Sequence, residues 1–273
     1  MMPKLPPQLL AAVAVALSAC ATGAQDATPE NRTTNGPAVV YVAIGASETA
    51  GVGTRDPLRD AFPQQLFQRL DQSALMYSFG LPGETTEGAL RDELPGALAV
   101  RPTLATVWLN VDDLAAGVPV VDYEAQLDQI VGGLRGAGAR VLIANTPHLD
   151  RLPAYSACRP NPPPGSPKCP LGSVALPPPD EVDGQVQAYN AAIARVAERN
   201  GATVVDLYAA GQVAVQHPEY VSSDGFHPST AGAAAIAQTF AAALGGVPQR
   251  MVSTLTPMSS LAHAASAVST RAP

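Results

Sequence analysis

Charge is scarce in this chain. Only 14% of the 273 residues are Asp, Glu, Lys or Arg, and their balance is −7 with no basic cluster. That excludes a nucleic-acid partner, because phosphate binding needs clustered Lys and Arg. The acidity says little about a substrate, since such a balance commonly serves to keep a domain soluble. Aromatic residues are also few, at 5%. No stretch is apolar and long enough to form a membrane span. Cysteine appears three times and histidine four times, so each can be weighed individually. Against these shortages stand 47% apolar residues, with Ala, Gly and Pro abundant. Both ends look dispensable, which leaves about one domain with material for a sizeable core.

The N-terminus has the layout of an export signal. Lys4 is the one charge of a short n-region, and residues 9–17 form an apolar run too short to cross a bilayer. The run ends in Leu17-Ser18-Ala19-Cys20, which resembles the bacterial lipobox. Residues 1–19 are then a lipoprotein signal peptide, and Cys20 is the lipidated residue that holds the protein to a membrane surface. The alternative is an ordinary signal peptide with a chance cysteine. Export makes a bond between Cys158 and Cys169 permissible. The ten residues between them are rich in Pro, have no helix or strand propensity and would profit from a staple. Zinc is the other option, but two cysteines with no nearby His make a poor site.

Residues 20–37 read as a flexible tether and 247–273 as a disordered or loosely helical tail. The domain between them, 38–246, alternates apolar runs with helical patterns. Strands are predicted at 39–44, 75–79, 104–109, 140–144 and 203–207. Helices are predicted at 61–70, 85–94, 123–137, 181–200 and 229–244. This alternation implies an α/β fold with a parallel sheet of about five strands, covered on both faces. The segment 159–179 is an excursion from the pattern. Ligands in such sheets bind at the carboxyl ends of the strands, so the loops there carry the candidates.

The first loop reads Gly45-Ala46-Ser47-Glu48. A Ser at a strand-to-helix corner can be held exposed as a nucleophile, or it can simply cap a helix. The last loop reads Ser223-Asp224-Gly225-Phe226-His227-Pro228. A serine hydroxyl needs a base, His suits that task near neutral pH, and a carboxylate suits the holding of its ring. His227 is the one histidine with a carboxylate in fixed local register; taken alone, the segment also reads as a surface turn. Two further loops offer donors for a negative oxygen: Gly80 to Thr85, which opens a helix, and Asn110-Val111-Asp112-Asp113.

Four blocks in this order resemble the SGNH/GDSL hydrolase superfamily. They are Gly45-Ala46-Ser47-Glu48, the glycine Gly83 within Leu81-Pro82-Gly83-Glu84, then Asn110-Val111-Asp112-Asp113, and Asp224-Gly225-Phe226-His227. Tyr189-Asn190-Ala191-Ala192-Ile193 and Val204-Val205-Asp206-Leu207 look like the family's approach to the last block. The resemblance spans about residues 38–244. It implies a three-layer α/β/α, flavodoxin-like fold and ester hydrolysis through an acyl-serine. Ser47 is the implied nucleophile, His227 its base and Asp224 the residue that orients His227. The backbone N–H groups of Ser47 and Gly83, with a side chain from the third-strand loop, would hold the oxyanion. No cofactor or metal is implied.

Substrates of the family are lipids, acylated sugars, thioesters and peptidoglycan acetyl groups; a small-molecule, lipid or acylated-carbohydrate ester is expected here, acted on by a monomer. Ala46 and Glu48 depart from the family's Asp and Leu. Asp112 stands where the family has a donating Asn, and an ionised Asp there would repel the oxyanion; only a protonated one, favoured by burial, donates. Asn110, two residues earlier on what reads as the same strand end, is a candidate compensating donor, or merely closes a turn. Two competing readings follow: a catalytically weak or inactive surface-binding lipoprotein on this fold, and a solute-binding lipoprotein, for which the chain is short of two lobes.

Overall fold

In a computed structural model, residues 39–166, 168–169, 176–214 and 216–245 are described. The expected signal peptide, Cys20, the expected tether and the 247–273 tail lie outside the described residues, as does part of the 159–179 excursion.

Five strands form one parallel sheet: β1 (Val40–Gly45), β2 (Leu75–Ser78), β3 (Leu104–Trp108), β4 (Arg140–Ala144) and β5 (Thr203–Val205), in the order β2-β1-β3-β4-β5. This is the flavodoxin-like doubly wound order, with the chain reversing direction of travel between β1 and β3. The central strands are almost wholly apolar, as a sheet covered on both faces requires, apart from buried Thr106 in β3 and exposed Arg140 at the start of β4. Side chains alternate between two cores. Val42, Ile44, Ala105, Val107, Val141 and Ile143 enter one; Tyr41, Ala43, Leu104, Trp108, Leu142 and Ala144 enter the other.

The helices are α1 (Ser47–Ala50), α2 (Pro57–Asp60), α3 (Phe62–Phe67), α4 (Thr86–Asp92), α5 (Leu94–Ala99), α6 (Val111–Ala115), α7 (Val120–Gly136), α8 (Pro153–Cys158), α9 (Pro179–Asn200), α10 (Leu207–Ala214) and α11 (Thr230–Ala243). Helix α9 buries Val182, Val186, Tyr189, Ile193 and Val196, a single stripe at spacings of three and four; the last three pack against α7 and the sheet, and Val182 and Val186 pack with Leu149 and Tyr155. Gly201 in the left-handed conformation ends it. On the opposite face α3 and α11 pack together, with the Phe62 and Phe240 rings stacked 4.9 Å apart.

The predicted strands and long helices lie where the sequence pattern puts them, with ends shifted by a few residues. The helix predicted over 85–94 is α4, and a second helix, α5, follows it at once, with Pro95 in its first turn, where a helix tolerates proline. One expectation is overturned. Asn110 and Asp112 do not share a strand: β3 stops at Trp108, Asn110 is the residue before α6, and Asp112 lies within that short helix. The rule that alternate residues share a face does not apply to them.

Candidate active site

Gly45 ends β1 and leads directly into α1. A side chain at Gly45 would meet the Thr49 hydroxyl at 2.2 Å and the Trp108 carbonyl at 2.7 Å, so the turn requires glycine on steric grounds. Ser47 is the first residue of α1, and its hydroxyl does not cap the helix. Instead Ser47 Oγ lies 3.0 Å from His227 Nε2. His227 Nδ1 lies 2.7 Å from Asp224 Oδ2. With its proton on Nδ1, the ring donates to Asp224 and accepts from Ser47. The three residues that sequence reasoning singled out on the first and last loops are therefore joined in one hydrogen-bonded line across 180 positions of chain.

The turn carrying His227 is built around Asp224. Asp224 Oδ1 accepts from the Ser222 hydroxyl at 2.7 Å and from the N–H groups of Phe226 and His227 at 2.8 and 2.9 Å. Partial burial would raise the carboxyl, but the bonds from His227, Phe226 and Ser222 outweigh it and hold Asp224 at about 2. It is ionised at any pH at which the protein is expected to work. Ser222 N–H closes the turn onto the His227 carbonyl at 2.8 Å, and Ala154 N–H at the start of α8 donates to the Gly225 carbonyl at 3.0 Å. Gly53, with φ +90°, lets the first loop approach: a Cβ there would sit 2.7 Å from His227 Cβ.

Gly83 has φ +81° on the loop before α4, with open space beside it. Neither the Ser47 nor the Gly83 N–H has a protein acceptor among the described residues, so both are free for a bound oxygen. Thr85 caps α4 through its hydroxyl, 3.3 Å from Gly88 N. Asp112 is half-buried; burial pushes its carboxyl up, His227 opposes and Glu84 adds to the rise. Burial thus shifts the balance toward the neutral form, the one able to donate. Asn110 is buried and turned elsewhere, with its amide 3.4 Å from the Ala144 carbonyl on the neighbouring strand. Its carbonyl oxygen has no partner. Asp113 is a structural acceptor, taking the Thr86 N–H and hydroxyl.

Two glutamates were not anticipated as parts of the site. Glu48 is buried with Oε2 3.3 Å from Ser47 Oγ, and burial pushes its carboxyl up. A protonated Glu48 leaves the serine's own proton to His227; an ionised one competes for it. Glu93, at the α4–α5 junction, is fully buried and takes the Gly45 N–H at 2.9 Å. The only sequence signal for Glu48 was a charge where the family has Leu. Nothing in the sequence marked Glu93, which reads as one more surface residue of a helix.

Beside His227 and Glu48 opens a cavity of about 440 Å³ walled by Trp108, Leu149, Leu152, Leu207, Phe226 and Ile236. Its size falls within the range of small-molecule sites and its lining is largely apolar.

Comparison with known proteins agrees with the fold. The psychrotrophic esterase EstA from Pseudoalteromonas sp. is 16% identical, covering 76% of this chain and 97% of its own, with a TM-score of 0.55. The lipase/acylhydrolase from Enterococcus faecalis is 18% identical over 74% of this chain and 93% of its own, with a TM-score of 0.55. An acetylxylan esterase from Geobacillus stearothermophilus is 16% identical over 77% and 96%, with a TM-score of 0.57. No curated protein sequence matches. The sequence profile of the GDSL-like lipase/acylhydrolase family matches residues 43–235, taking in Ser47, Gly83, Asp112, Asp224 and His227. Most of the chain is thereby accounted for, and it belongs to the GDSL-like lipase/acylhydrolase family of ester hydrolases.

Proposed function

We propose that this chain is an extracytoplasmic serine esterase, tethered to a membrane by lipid on Cys20, that cleaves carboxylic esters with an apolar acyl group. The observation that carries the chemistry is the line Ser47–His227–Asp224, with both spacings at hydrogen-bond distance. Ser47 Oγ attacks the ester carbonyl carbon while His227 Nε2 takes its proton. The oxygen of the tetrahedral intermediate takes hydrogen bonds from the N–H groups of Ser47 and Gly83 and from protonated Asp112. His227 then protonates the departing alkoxide, leaving acyl-Ser47. Water, deprotonated by His227, releases the acid. Asp224 keeps the ring in the right tautomer and stabilises the imidazolium.

The apolar cavity beside His227 supports an apolar acyl group as the part of the substrate it receives. Support for export comes from the lipobox-like Leu17-Ser18-Ala19-Cys20 and from the Cys158–Cys169 disulfide, a bond typical of oxidising compartments. The test of activity is an ester panel of graded acyl length, run on wild type, Ser47→Ala, His227→Ala and the double variant. Each single change removes nearly all activity and the double is hardly worse, because the two act as one unit. Wild-type rates in either single variant, or no labelling of Ser47 by a fluorophosphonate, would favour a non-catalytic binding protein on the same fold. That second reading draws on Asp112 standing in the donor's place. Mass spectrometry of the mature protein tests the anchor: an unmodified Cys20 at an intact N-terminus rules it out.

A further inference from the structure

We infer that His148, Asp150 and Asp183 form a binding site for one divalent cation of the zinc class, which fastens the loop after β4 to helix α9. His148 Nδ1 lies 3.6 Å from Asp150 Oδ1 and 3.8 Å from Asp183 Oδ1. The three candidate ligand atoms all lie within 4.8 Å of one another. Three donors around a tetrahedral zinc, with bonds of about 2.0–2.1 Å, would stand about 3.3 Å apart, so the two His148–carboxylate spacings would close by a few tenths of an ångström and the two carboxylate oxygens by up to about 1.5 Å, within reach of side-chain rotation.

The cluster holds buried polar atoms that make no hydrogen bond among the described residues. His148 is 6% exposed, and both of its ring nitrogens lack a hydrogen-bond partner, as does the buried Oδ1 of Asp150. An N–H on Nδ1 would face the two carboxylate oxygens only at 3.6 and 3.8 Å, longer than a hydrogen bond, and an N–H on Nε2 would be buried without a partner, which is costly. A neutral ring with its Nδ1 lone pair turned inward would face two carboxylate oxygens with no proton between them. A dication at the centre of the three atoms would take the Nδ1 lone pair and Asp150 Oδ1 and neutralise two carboxylates. One imidazole with two carboxylates suits zinc or manganese better than calcium, which prefers an all-oxygen shell.

The surroundings hold the ligands in place. The Tyr208 ring stacks on His148 with centroids 3.8 Å apart, and its hydroxyl donates to Asp183 Oδ1 at 2.8 Å. Such outer contacts fix a ligand's orientation before metal arrives. The site stands apart from Ser47, and its three residues have no place in the proposed hydrolysis. Its position still matters, since Pro147, Leu149 and Leu152 of the same loop wall the apolar cavity.

The experiment uses the mature, untagged chain, stripped with EDTA and titrated with ZnCl2, with calorimetry and thermal unfolding as readouts. One Zn2+ per chain is expected, with Tm rising by about 5–10 °C at a hundredfold excess over Kd. His148→Ala should abolish both signals. Because that change empties a buried volume, Asp183→Asn is measured beside it; the amide oxygen still accepts from Tyr208, so the fold is kept while a charge is lost. A zinc response weakened at least tenfold in Asp183→Asn supports the site. No zinc response in wild type, an equal response in both variants, or a response to CaCl2 with none to ZnCl2 would overturn it.

Discussion

Glu93 makes the stability of this protein depend on pH in a direction opposite to that of most carboxylates. Its side chain is fully buried beneath the nucleophile loop, where Oε2 holds Gly45 N–H and Oε1 has no partner. Burial pushes the carboxyl up to about 8, only partly offset by the Gly45 and Leu81 N–H groups. Unfolded, the same group returns to 4.5. Between those values the folded chain keeps a proton that the unfolded chain has lost. Stability is therefore fully present below pH 4.5, falls by ~1.4 kcal/mol for each pH unit above it, and levels off beyond about 8. From pH 5 to pH 8 the loss attributable to this one group is roughly 3–4 kcal/mol, an order-of-magnitude figure.

Glu93→Gln removes the titration and keeps an oxygen for Gly45. Urea unfolding followed by the fluorescence of Trp108, the single tryptophan, reports global stability in both proteins. Taking the difference between them at pH 5, 6.5 and 8 cancels the other ionisable groups. The variant should gain steadily on the wild type as pH rises, and should overtake it if the two start close together at pH 5. Curves that stay parallel, with the difference changing by less than about 1 kcal/mol, would show that Glu93 is ionised in the folded protein. The account of its burial would then be wrong.

Three further outcomes are expected. Asp112→Asn should match or exceed wild-type kcat, and its rate should hold as pH rises, where the wild type loses rate as Asp112 ionises through its raised pKa; identical pH–rate profiles for the two would refute this. Ile236→Trp should fill part of the cavity, cutting kcat/KM for long acyl esters at least tenfold while leaving acetate esters within about twofold, as read from the ester panel. Replacing both Cys158 and Cys169 by Ser should lower stability by ~2–3 kcal/mol, the entropy of closing so short a loop, as measured by urea unfolding; an unchanged midpoint would show that the loop is held by other contacts.

Much of the fold was legible because it is written in local patterns. A run such as Val-Tyr-Val-Ala-Ile-Gly has one reading in an alternating α/β chain, and the α9 stripe has the period of a helix. Helices of four or five residues carry less than two turns of period, so α1 and α6 could not be separated from the strand ends beside them. That single difficulty put Asn110 and Asp112 on one imagined face. In the site, Asp224 and His227 were readable because three residues of turn bring them together, and Ser47 because its glycine-flanked corner is distinctive. Glu48, Glu93 and the His148–Asp150–Asp183 cluster were not, since each draws its meaning from neighbours that only tertiary packing supplies. His148 follows a strand as an ordinary loop residue, and Asp183 sits in a helix among other acidic residues.

The span between Ser47 and His227 has a consequence for how the enzyme comes to life. The nucleophile is among the first described residues to be synthesised and its base among the last, on a turn held by α11 and by the start of α8. No amino-terminal fragment, however well folded around β1, owns a base for Ser47. The chain is thus chemically silent throughout synthesis, and becomes reactive only when the segment carrying His227 and α11 docks against α3. Labelling of Ser47 by a fluorophosphonate during refolding therefore reports when these two distant segments meet, and a chain cut short before residue 227 should never take the label however long it is given.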